Sequence, residues 1–310
     1  MTGRDAATVP AVLDLPPATD LAVMSVGVIA VSTSGPLIAA AAAPALAIAF
    51  WRNAFASGVL VPLVAWRHRA EVASLTRREW RLAIFAGVLL AAHFAAWVIS
   101  LRLTSVASAT ALVSTQPIWV ALLARRTGTS MPARAWVGIL VAVIGAGVLA
   151  GADLSTSPRA LGGDVLAVVG GAGAAGYMVT GSEVRRHVST VTYTAICYAT
   201  TAVALLVCCL AAWQSLVGYS GGTWLRIFAL TVGAQFLGHS LFNRVLRTTS
   251  PTVVSLAILF EVPGAALLAA AFLGQHPSWF AVPGMLLLLA GIGVVITARD
   301  RTAEASLPAE

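Results

Sequence analysis

The chain has 310 residues, of which 59% are hydrophobic and 10% charged, with a net charge of +7. Soluble domains carry about 25% charged residues, so this one could not cover a water-facing surface. Together with a mean hydropathy of +0.89, this excludes an ordinary soluble enzyme, a disordered chain and a secreted disulfide scaffold. What remains is an all-α integral membrane protein, long enough for about ten spans of ~20 residues.

Residues 1–20 form a polar tail with Arg4, Asp5, Asp14, Pro16, Pro17 and Asp20. The first apolar run begins at Leu21 and leads straight into another, so it reads as a retained span and not a cleaved leader. Stretches free of Asp, Glu and Arg mark the rest. Pro44 divides span 1 (21–41) from span 2 (45–66). Spans 3 and 4 (82–101 and 103–124) are joined by a tight turn at Arg102. Span 5 covers 135–152 and span 6 covers 163–182, with Asp164 expected to cap span 6. The long stretch 187–225 holds spans 7 and 8, divided near Tyr219-Ser220-Gly221-Gly222, and span 8 runs to about Asn243. Span 9 (249–273) and span 10 (279–298) flank Gly274-Gln275-His276-Pro277, and the tail from Arg299 is polar again.

All the Lys/Arg content is arginine, in short clusters between apolar runs, which is the pattern of cytoplasmic loops and not of a nucleic-acid surface. With a cytoplasmic N-terminus, the inner side holds Arg4, Arg67, Arg69, Arg77, Arg78, Arg81, Arg125, Arg126, Arg134, Arg185, Arg186, Arg244, Arg247, Arg299 and Arg301. The outer side holds Arg102, Arg159 and Arg226. This asymmetry places both termini in the cytoplasm of a multi-pass cell-membrane protein. Trp66, Trp80, Trp136, Trp213, Trp224 and Trp279 fall where interfacial anchors belong. Cys197, Cys208 and Cys209 lie in one apolar run and read as reduced packing residues, with no metal partner at ligand spacing.

The second half echoes the first. LRLTSVASATALVSTQPIWVALLA (101–124) and LRTTSPTVVSLAILFEVPGAALLA (246–269) share Leu101, Arg102, Thr104, Ser105, Ala121, Leu122, Leu123 and Ala124 at an offset of 145. Gly145-Ala-Gly147-Val148 is echoed by Gly291-Ile-Gly293-Val294, and Trp136 by Trp279. The unit is therefore about five spans: repeats at 21–152 and 153–298, with tails at 1–20 and 299–310. An odd number inverts the second copy, so the expectation is ten transmembrane helices as two inverted five-helix repeats. That construction lets one site face either side of a membrane.

Here the sequence resembles the EamA-type members of the drug/metabolite transporter superfamily. The resemblance spans about 21–298 and rests on APALAIAFWRNA, LRLTSVASATALVSTQPIWVALL, GGDVLAV and LRTTSPTVVSLAILFEVPGAALLAA in order. It implies ten helices in two inverted halves, helices 1, 3, 4, 6, 8 and 9 around a central cavity, and outward movement of amino acids, other metabolites or toxic compounds. Two departures stand out. The family often has Trp-Gly in helix 1, where this chain has Ser32-Thr33-Ser34-Gly35-Pro36; Arg125 or Arg126 and Gln275 replace the acidic residues often found after helices 4 and 9.

Glu261 is the acidic residue deepest in a span, 14 residues after Arg247 and about 21 Å along a helix. It reads either as a proton acceptor or amine ligand, or as a protonated glutamate bonded between helices. Gln116 is its repeat counterpart, and Pro117 and Pro263 break the helix beside each, freeing carbonyls or merely kinking the packing. Arg52 lies about 12 Å past Pro44 and either snorkels outward or holds a substrate carboxylate. His93 and His239 fall at matched depth near the membrane centre. Trp97 shares the face of His93, and Gln235 and Asn243 lie one turn either side of His239. Trp119 is a further candidate wall. Gly171-Ala-Gly173-Ala-Ala-Gly176 matches a dinucleotide fingerprint but has no preceding strand, so it reads as a small-residue packing face. No HExxH or GxSxG is present.

The expectation is a secondary transporter of small amphipathic metabolites, monomeric or homodimeric and embedded in lipid, with no enzyme activity, cofactor, metal or nucleic-acid partner. The proton is the favoured coupling ion, through Glu261, with sodium the other reading. A passive channel and a non-transporting scaffold are the alternatives.

Overall fold

The computed structural model describes residues 16–126, 131–151, 157–274, 279 and 281–304. Gln275, His276 and Pro277, residues 1–15 and residues 305–310 lie outside these. The principal helices are α1 (Ala18–Ala40), α2 (Ala45–Arg67), α3 (Arg77–Ser100), α4 (Val106–Arg126), α5 (Ala133–Gly151), α6 (Pro158–Arg185), α7 (Thr190–Ala211), α8 (Gly221–Val245), α9 (Pro251–Leu273) and α10 (Ala281–Glu304). Eight of them are long and apolar enough to cross a membrane; α5 and α10 carry the shorter apolar stretches Ala133–Val148 and Val282–Val295. No strand occurs among the described residues.

Local chemistry sets the helix starts. Thr76 opens α3 with a capping box: its hydroxyl accepts from the Glu79 N–H at 3.2 Å, and its own N–H donates to the Glu79 carboxylate at 2.7 Å. Ser105, Ser157, Ser189, Ser220 and Ser250 cap α4, α6, α7, α8 and α9, each accepting from an N–H three residues on. Pro158 and Pro251 follow two of these caps, where a missing N–H does no harm. Helix α6 therefore starts five residues before the expected 163, and Asp164 is not its cap. Helix α3 likewise starts at Arg77 and α10 runs on to Glu304. Absence of charge marks the lipid-immersed part of a helix, whereas these ends project charged turns beyond it.

Four helices are interrupted mid-way. Helix α1 turns at Thr33, α4 at Ser114–Thr115, and α9 at Leu259–Phe260. Pro36, Pro117 and Pro263 each lack the N–H that would reach back four residues, to Ser32, Val113 and Leu259. Residues Thr231–Ser240 of α8 are π-helical, a widening that holds a local bend.

Helix α3 packs along α6, α2 along α7, α5 along α10, and α1 across α8. The α5–α10 pair meets backbone to backbone. A Cβ on Gly145 would lie 2.3 Å from Leu288 N, and one on Gly291 would lie 2.3 Å from Ala142 N, while one on Gly147 would meet no described atom within 4 Å. The glycine run of α6 lies against α3, where a Cβ on Gly173 would sit 3.1 Å from His93 N. Cys197 and Cys209 are buried as packing residues, but Cys208 is exposed.

A short helix, Arg69–Ser74, lies between α2 and α3. From it Glu71 accepts from Ser189 N (2.6 Å), Ser189 Oγ (2.7 Å) and Thr192 Oγ1 (2.5 Å) at the start of α7. Burial alone would raise its carboxyl, but these donors and the nearby His68 outweigh it and hold the group below the ordinary 4.5.

Two outcomes are expected. Gly145→Val should destabilise by about 1–3 kcal/mol or more through overpacking, seen as a lowered unfolding midpoint, whereas Gly147→Val should move it little. The Glu71 contribution, from a lowered carboxyl, should be full above the unfolded value of about 4.3 and fade as pH falls through the lower folded value. Glu71→Gln should therefore flatten the midpoint's acid dependence; an unchanged slope would contradict the tether.

Candidate functional site

The interruptions converge. A cavity of about 40 Å³ lies where α1, α3, α4, α6, α8 and α9 meet, room for about three waters. His93 and Trp97 come from α3, His239 and Asn243 from α8, Tyr177 from α6. Gln116 and Glu261 are the first residues of the second segments of α4 and α9, and both line the cavity. Each therefore stands at a helix N-terminus inside the protein, where the partial positive charge of free N–H groups favours a carboxylate or carbonyl oxygen. Neither side chain hydrogen-bonds to another described residue, so both are free to meet what enters.

The aromatic walls follow from the helix period. His93 and Trp97 are one turn apart and stack at 5.9 Å with 10° between planes. His93 meets His239 edge-on at 6.2 Å, and His239 also faces Phe94 (5.2 Å) and Tyr177 (6.4 Å). His93 Nδ1 lies 2.9 Å from Gly170 O. A carbonyl can only accept, so Nδ1 carries a proton and, in the neutral ring, Nε2 is left as an acceptor.

Two arginines lie buried beside the cavity. Arg52 is 0% exposed, and its solvent-snorkelling reading does not hold. Its Nε donates to Gln235 Oε1 (2.9 Å), its Nη1 to Ser34 Oγ (3.5 Å), and its guanidinium lies 4.2 Å over the Phe94 ring. Gln235 Nε2 in turn donates to Asn53 Oδ1 at 3.0 Å. No ion pair joins Glu261 to Arg52.

The second is Arg185. The sequence counts it with the loop arginines because Arg186 and His187 follow it, yet it is 1% exposed. Its Nη1 donates to Asn243 Oδ1 (2.9 Å), which also accepts from Tyr177 OH (2.7 Å), and its guanidinium lies 4.5 Å over the Tyr193 ring. Tyr177 and Arg185 escape the sequence reading. The available signal is the i, i+4, i+8 spacing of Tyr177, Gly181 and Arg185, which puts them on one helix face.

Of the sequence candidates, the cavity brings together His93, Trp97, Gln116, His239, Asn243 and Glu261. Arg52 and Gln235 are not among the residues lining it; Gln235 Oε1 instead accepts from Arg52 Nε. Trp119 is not among the residues lining this cavity. Its Nε1 donates to Thr115 Oγ1 at 3.3 Å, back onto the turn where α4 is interrupted.

The EamA-like transporter family matches residues 20–151 and 161–297, and the chain belongs to that family. It is a multi-pass membrane transporter. A protein of Archaeoglobus fulgidus, known as an uncharacterized transporter, is 24% identical over 249 residues, covering 79% of this chain and 85% of its own. A crystal structure of a protein 18% identical superposes with a TM-score of 0.72 over 92% of this chain and 98% of that one. That likeness establishes the shared fold.

Gln235→Leu takes away the acceptor of Arg52 Nε in a buried site. It should lower stability by about 1–3 kcal/mol, measured as a thermal midpoint in detergent, while Trp119→Phe, which loses one half-buried bond, should change it by about 1 kcal/mol or less. Equal losses would contradict the assigned roles.

Proposed function

We propose that this transporter is a secondary carrier of ten membrane-crossing helices in two inverted five-helix halves, moving small amphipathic metabolites such as amino acids by alternating access. Both termini face the cytoplasm of the cell membrane, the direction is outward, and the chain works as a monomer or homodimer. The direction follows the family resemblance. The topology draws on the arginine asymmetry, which survives the removal of Arg185 from the loop set. The halves draw support from packing: exchanging each helix with the one five places on turns the α3–α6 contact into α8–α1 and returns α2–α7 and α5–α10 to themselves.

One observation carries the reading. Two interrupted helices, equivalent in the repeat, present Gln116 and Glu261 to one central cavity. Irregular backbone at membrane depth is tolerated where it lines a polar cavity, and a carboxylate there marks an ion or substrate path. Glu261 is the proton-coupling group. It binds a proton when exposed to one side and releases it to the other. His93, His239, Trp97 and Asn243 form the substrate walls, and Arg52 sets the charge behind them. A cavity of about 40 Å³ is far below the ~300 Å³ or more of a ligand site, so the helices must part to admit substrate. That argues against a standing channel.

The test is uptake of labelled amino acids and cationic drugs into proteoliposomes with and without an imposed pH gradient. Saturable uptake driven by the gradient is expected for one class. Glu261→Gln should lose accumulation and keep exchange. Unsaturable flux would favour a channel, and gradient-driven accumulation unchanged in Glu261→Gln would remove Glu261 from coupling.

A further inference from the structure

Arg185 is held by two contacts that leave one side of its guanidinium unused. Its Nη1 donates to Asn243 and its face covers Tyr193. Its Nε and Nη2 are buried without a hydrogen-bond partner. No carboxylate pairs with it among the described residues. An uncompensated buried charge is costly, and is kept where something supplies the counter-charge. Nε and Nη2 are the two nitrogens whose N–H bonds run parallel along one edge of the guanidinium. That edge matches the two oxygens of a carboxylate.

Arg52 does not offer this edge. Its Nε is committed to Gln235 and its Nη1 to Ser34, so only Nη2 lacks a partner. Asn243 links Arg185 to the cavity it helps line. With Oδ1 held by Tyr177 and Arg185, its Nδ2 is a further buried donor without a partner. The apolar and aromatic lining, including Val31, Val113, Met178 and Phe242, suits an uncharged body.

We propose that the Nε–Nη2 edge of Arg185, which stands behind the cavity lining, becomes a carboxylate-binding subsite with Asn243 beside it when the helices part to admit substrate, so that the substrate is an amphipathic carboxylate. The inference rests on the carrier reading for treating the cavity as a substrate site.

Direct binding tests it without flux. Thermal unfolding of the purified full-length chain in detergent is followed with 3-phenylpropionate and with the matched 3-phenylpropionamide. The acid should raise the wild-type midpoint and the amide should not. Arg185→Gln should abolish this preference. Arg185→Lys, which keeps the charge and loses the fork, should weaken the acid about tenfold or more and decides the matter if the glutamine variant does not fold. Arg226→Gln, at an exposed arginine outside the cavity lining, should keep the preference for acid over amide. Equal stabilisation by both compounds, none by the acid, or an unchanged acid preference in Arg185→Lys would overturn the proposal. Because binding is read here, these outcomes stand apart from a failure of the carrier reading, which the gradient experiment exposes.

Discussion

Two guanidinium groups buried in an apolar helix bundle set the terms for the rest of the structure. Arg52 and Arg185 are fully enclosed, and the cavity beside them holds one carboxylate, Glu261. Charges at such depth demand polar partners from several directions. Arg52 draws in Ser34 from α1, Gln235 from α8 and, through Gln235, Asn53 from α2. Arg185 draws Asn243 of α8 and Tyr193 of α7 onto the end of α6. Most of the polar contacts that tie the helices together around the cavity thus serve to keep positive charge inside the protein.

The interrupted helices meet the same need from the backbone side. Three prolines free carbonyls on α1, α4 and α9, and the π-helical stretch of α8 bends the fourth. These are places where a continuous helix would have given lipid-like packing and no site. In the proposed carrier cycle this cost falls on the region that moves. By contrast α5 and α10, which do not line the cavity, are welded along Gly145 and Gly291 and form their own apolar cluster with Leu259 and Val262. A close-packed pair at the flank and interrupted helices at the centre suit the proposed rocking about a central site.

Much of this is legible in the sequence. Charge-free stretches, prolines and glycine-rich breaks locate the spans because the bilayer imposes length and apolarity on each. They misplace the starts of α3 and α6 and the end of α10, because hydropathy reports immersion while helix ends are set by caps. Within the site, His93, Trp97, His239, Gln116 and Glu261 stand out as polar or aromatic residues at membrane depth. Arg185 does not. A linear reading assigns an arginine beside a turn to solvent, and its burial depends on Tyr193, which arrives from the next helix. Gln235 lies on the expected helix but is taken up by Arg52 and Asn53, partners from another helix that its own neighbours in the chain do not reveal. Trp119 takes a local partner, donating to Thr115 at the interruption of α4.

The central claim is that the two ends of the cavity open in opposition. It is tested most directly by spin-label distances in lipid nanodiscs, with the native cysteines replaced. One pair, at Ser74 and Arg247, would report the end where α3 begins and α8 finishes. The other, at Ala42 and Gly221, would report the opposite end. The account predicts that a substrate identified by flux shifts both distributions in opposite senses, one lengthening as the other shortens. Distances that stay fixed at both ends while flux proceeds would contradict it.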